Sequence, residues 1–64
     1  MTAWEAKLLA EARDATYLVP PYSRTEWAWA ARGEVRDGYR TRDEAILEAL
    51  EYIQSVDGRP EWAS

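Results

Sequence analysis

The residues in this chain with the most chemical potential are carboxylates. Three of them, Glu44, Glu48 and Glu51, recur at spacings of four and three. On an α-helix that spacing gathers them into one narrow stripe, which Ser55 continues. No Lys or Arg lies between Arg42 and Arg59, so the stripe lacks the cation three or four residues away that ordinarily softens repulsion in such a row. A row of this kind serves either as a plain solvated helix face or as a docking surface for something basic. Asp43, Asp57 and Glu61 would widen the acidic surface.

Other chemistry is poorly provided for. The chain has no His and no Cys, which removes the commonest general base, the commonest zinc ligand and any thiolate. Carboxylate acid–base catalysis needs one carboxyl held in an apolar pocket while another stays ionised. Every acid here falls at a cap, a turn or an exposed helix face. The cluster Asp43, Glu44 and Glu48 lacks the alternating acids and the glycine of a calcium loop, and there is no glycine-rich phosphate loop. The residues therefore point to no catalytic set, no metal site and no cofactor.

The element that must carry the stripe is a helix over Thr41 to Val56. Ala45, Ile46, Ala49, Leu50, Ile53 and Val56 share the face opposite the acids and are expected to be buried. Thr41, with Glu44 three residues on, has the pattern of a capping box. Asp57-Gly58 and Pro60 supply the stop, leaving a tail, 57–64, loosely attached, with Trp62 either folded back or offered to a partner.

A second capping-box pattern, Thr2 with Glu5, predicts a helix over Ala3 to Ala15. Trp4, Leu8, Ala12 and Ala15 form its inner face and Lys7, Glu11 and Asp14 point outward. Thr16 to Ser23 cannot be helix, because Pro20 and Pro21 lack backbone donors and Val19 precedes a proline. Tyr17, Leu18, Val19 and Tyr22 are expected against the core, with room for a third short strand within 17–22. In Thr25 to Ala31 the residues alternate, placing Trp27 and Trp29 on one side. We read that side as inward; the other arrangement is an exposed tryptophan platform for a partner. A turn around Gly33, with Glu34 to Arg40 returning and Gly38 as a bulge or strand end, completes a hairpin. Val35 and Tyr39, an even number apart, are expected to point inward together.

These elements make one small α+β domain over residues 1–64: helix, antiparallel hairpin, helix, in two layers. At 64 residues a core is only marginally sufficient, and four Trp and four Tyr with no Phe meet that demand through large aromatic burial. Pairing with a second copy is one way such a core is completed, so a homodimer is among the arrangements the composition allows. The net charge is −4, which argues against direct binding to nucleic acid. Arg24, Arg32, Arg36, Arg40 and Arg42 nevertheless cluster mid-chain, so charge is polarised along the sequence. No secretory pattern or membrane-length apolar run is visible, and a cytoplasmic location is the default expectation.

Trp27-Ala28-Trp29, Gly33 and Gly38 to Ile46 together resemble small bacterial strand-strand-helix domains, a resemblance that implies a fold more than a role. In size, acidity and tryptophan content the chain is also similar to small inhibitors carried by phages and mobile elements, among them anti-CRISPR proteins. That likeness implies a non-catalytic, DNA-mimicking viral protein. Successive carboxylates at i, i+4 stand about 5 to 6 Å apart, close to the phosphate spacing along a strand. Glu44, Glu48 and Glu51, with Asp43, Asp57 and Trp62 beside them, are then the partner-binding residues, and the partner is a larger basic protein or complex that handles nucleic acid. The alternative is a structural or regulatory module that pairs through an exposed Trp/Tyr face.

Overall fold

The computed structural model describes residues 2–20, 26–58 and 61. The chain runs helix α1 (Ala3–Ala15), strands β1 (Thr16–Leu18), β2 (Trp27–Ala31) and β3 (Glu34–Tyr39), then helix α2 (Arg42–Asp57). The three strands form one antiparallel sheet in the order β1-β2-β3. This is the expected α+β arrangement; the third short strand, expected within 17–22, runs Thr16–Leu18, directly from the end of α1.

Helix α1 begins as its capping box requires. The Glu5 amide donates to the Thr2 hydroxyl at 3.1 Å, and the Glu5 carboxylate accepts from the Thr2 amide at 3.3 Å. It ends without a glycine. Thr16 turns to extended geometry (φ −85°, ψ 145°) and its hydroxyl donates to the Arg13 carbonyl at 2.8 Å, so the helix passes directly into β1. Thr16, Tyr17 and Leu18 favour a strand, and the prolines that follow bar a return to helix.

The core is a single cluster of Trp4, Leu8 and Ala12 from α1, Trp29 from β2, and Ala45, Ile46, Ala49 and Ile53 from α2. Ala12, Ala45 and Ala49 are fully buried, and their lack of bulk lets the backbones approach closely. Trp27, Ala31 and Tyr39 pack against the same cluster, so both helices cover one face of the sheet. Trp29 is only 2% exposed. The tryptophan pair is therefore a core feature, with Trp27 half-buried beside it, and not a platform in solvent.

Three expectations are corrected here. Val35 does not point inward with Tyr39: it is 59% exposed, opposite Ala30 on the outer face. Trp27 pairs with Tyr39 but Trp29 with Arg36, so two steps along β2 match three along β3. The extra residue is a bulge, with Gly38 at φ +88°. A bulge resets the alternation, so an even spacing no longer means a shared face, and Arg36 takes the inward place. Val56 is likewise 51% exposed, because it lies in the last turn of α2, beyond the core residues. Tyr17, expected against the core, is 42% exposed; it pairs with Ala28 and so shares the outer face. Leu18 and Val19 are half-buried, while Tyr22 lies outside the described residues.

Candidate protein-binding surface

Helix α2 presents the acidic row as its spacing dictates. Glu44, Glu48, Glu51 and Ser55 are all exposed, opposite the buried Ala45, Ile46, Ala49 and Ile53. From Glu44 to Glu51 the row runs about 10 Å along the helix axis. The Thr41 hydroxyl accepts the Glu44 amide at 3.1 Å, but the Glu44 carboxylate does not return the bond. Only half of the expected capping box forms, which leaves that carboxylate in solvent with the rest of the row. Among the described residues none of the three glutamates forms an ion pair.

The described arginines that do bond are engaged elsewhere. Arg32 donates from Nε and Nη2 to the two carboxylate oxygens of Asp57, at 2.8 and 2.7 Å, and from Nη2 to Glu11 at 2.7 Å. The bonds to Asp57, and then to Glu11, push the guanidinium further above its already high range. The same Arg32 bonds hold the Asp57 carboxyl below the usual carboxylate range. Arg36 pairs with Glu34 at 3.2 Å. Arg42 reaches back across the fold to the Thr16 hydroxyl and the Arg13 carbonyl, each at 3.4 Å. Arg32, Arg36 and Arg42 are thus each engaged with separate partners, while Arg24 lies outside the described residues.

Beside the acidic row, between α2 and β3, lies an open groove of about 280 Å³ lined by Trp29, Arg36, Tyr39, Glu48, Glu51, Tyr52 and Ser55. Its aromatic side is fixed by two contacts. The Trp29 indole N–H donates to the Tyr39 hydroxyl at 3.1 Å, and the Trp29 and Tyr52 rings stack tilted by 37° with centroids 5.1 Å apart. Two carboxylates and two tyrosines lining one groove make a surface suited to a cationic side chain, with Arg36 in the same lining limiting how much positive charge it takes.

The remaining expected contact residues are dispersed. Asp43 lies on the flank facing α1, where it lines a second hollow with Leu9, Arg13, Ile46 and Leu47. Asp57 is the last residue of α2, held by Arg32, and so belongs to the folded body, not to a loose tail. Glu61 is exposed, and Trp62 lies outside the described residues. Reading the sequence missed Arg36, Tyr39 and Tyr52 as neighbours of the row. Tyr52, four residues after Glu48 and next to Glu51, carried a helical signal for this; Arg36 carried none until the bulge was known.

Among the described residues no group of three or more acids is placed to hold a metal ion. None of their helices is long and apolar enough to cross a membrane. Comparison with protein families, characterised proteins and solved structures yields no significant match. The reading of the site accordingly rests on its geometry and charge.

Proposed function

We propose that this chain is a non-catalytic binding protein that occupies a basic, nucleic-acid-binding surface of a larger protein or complex through Glu44, Glu48 and Glu51. The observation that carries the proposal is the row itself: three exposed carboxylates on one rigid helix, with no ion pair among the described residues, while Arg36, which shares the groove, is bonded to Glu34. An unneutralised row steers toward a basic surface and meets it with fixed spacing. Asp43 and Asp57 are left at the margins. The finer form of this reading, inhibition of the kind that anti-CRISPR proteins exert, is supported by size and composition. Burial of Trp29 removes the main support for the competing reading of a Trp27/Trp29 docking face.

The test is affinity capture from the source cell with the intact chain and with Glu48→Gln/Glu51→Gln, followed by challenge of the captured complex with nucleic acid. The proposal expects capture by the intact chain, loss of capture by the double variant, and release of the chain by competing nucleic acid. Equal capture by both chains, undisturbed by nucleic acid, contradicts it.

A further inference from the structure

The sheet ends at β3, and among the described residues no strand pairs with the outer edge of that strand. Its hairpin turn has positive φ at both central residues, Arg32 (52°) and Gly33 (79°), the type I′ geometry of a two-residue loop. Such a loop is closed by a hydrogen-bonded pair, here Ala31 and Glu34. The alternation of an antiparallel ladder makes the next pair, Ala30 and Val35, the non-bonded kind. The backbone N–H and C=O of Val35 therefore point away from β2, toward the open edge.

The side chains around Val35 are self-complementary. Glu34 and Arg36 flank it on the helix-bearing face, and Val35 itself is 59% exposed on the other. We infer that β3 pairs antiparallel with β3 of a second copy about a two-fold axis at Val35, forming one continuous six-stranded sheet. The two Val35 residues then exchange both of their outward backbone bonds. Glu34 of each copy stands opposite Arg36 of the other, so the ion pair these two make within one copy is extended across the axis as two opposite-charge pairs, and the Val35 side chains meet on the outer face. Charged side chains and a bulge are the usual devices by which an edge strand resists pairing, but the acid and the base of β3 stand in the order that matches its own reversal, so in an antiparallel pair each charge meets its opposite. The bulge at Gly38 limits the ladder to a few residues, so the association is weak and concentration-dependent. The inference does not rest on the proposed role of the acidic row: its contacts are Glu34, Val35 and Arg36, and although Arg36 also lines the groove beside the row, Glu48 and Glu51 take no part in it.

Sedimentation of the full chain from ~10 μM to ~1 mM tests it. The intact chain is expected to pass from monomer to dimer over that range. Glu34→Arg sets like charges opposite each other and is expected to weaken self-association at least about tenfold, although it makes the chain less negative overall. Adding Arg36→Glu to that variant reverses both charges and restores the dimer. Val35→Pro removes the outward donor and abolishes it. A chain that stays monomeric throughout, or a dimer indifferent to Glu34→Arg, overturns the inference. Affinity capture by the acidic row is scored separately with Glu48→Gln/Glu51→Gln, so failure of one reading is distinguishable from failure of the other.

Discussion

Trp29 gives its indole proton to the Tyr39 hydroxyl at 3.1 Å, joining the buried centre of β2 to the residue just beyond the bulge in β3. Tyr39→Phe keeps the ring and removes the acceptor. A loss of about 1 kcal/mol is expected, read as a lower urea midpoint with unchanged slope. Combining it with Trp29→Phe, which deletes the donor as well, should show strong non-additivity in a double-mutant cycle.

The bulge itself is a stability determinant. Gly38 holds φ +88° with open space where a Cβ would stand, so Gly38→Ala pays for backbone conformation and not for a clash. The expected cost is about 1 to 2 kcal/mol, measured by thermal or chemical unfolding.

Arg32 ties the hairpin turn to both helices through Glu11 and Asp57, and the tie is pH-dependent through Asp57. The Asp57 carboxyl is depressed in the fold by the Arg32 bonds, so its contribution is complete above the ordinary carboxylate range and is lost as pH falls through the depressed value. Asp57→Asn should therefore melt below the intact chain at neutral pH. The two melting curves should converge as pH falls below about 4. A gap that persists in acid contradicts this assignment.

The two helix caps should differ. Thr2 has both halves of its capping box, while Thr41 has one. Thr2→Ala is expected to cost about 1 kcal/mol and Thr41→Ala less, by chemical denaturation of the single variants.

What could be read from the sequence follows from how local the determining interactions are. Helix α1, the start of α2, the turn at Gly33 and the inward Trp29 all depend on residues within a few positions of one another, and each was legible. The shared face of Val35 and Tyr39 was not, because one extra residue between them changes the parity without leaving a stronger mark than a glycine. Asp57 looked like part of an acidic surface. Its partner Arg32 is 25 residues away, and only the packing of the hairpin turn beside both helices brings them together. The acidic row was legible as a row, since helical periodicity alone sets it. Its aromatic neighbours were not, because Tyr39 and Arg36 reach the groove only through the register of β3.

The most direct test of the acidic row is the affinity of the captured partner for the intact chain and for Glu48→Gln/Glu51→Gln, measured by titration at ~50 mM and ~500 mM salt. The account predicts binding that weakens steeply as salt rises and falls at least about tenfold in the double variant. Equal affinity for the two chains, or binding unmoved by salt, contradicts it.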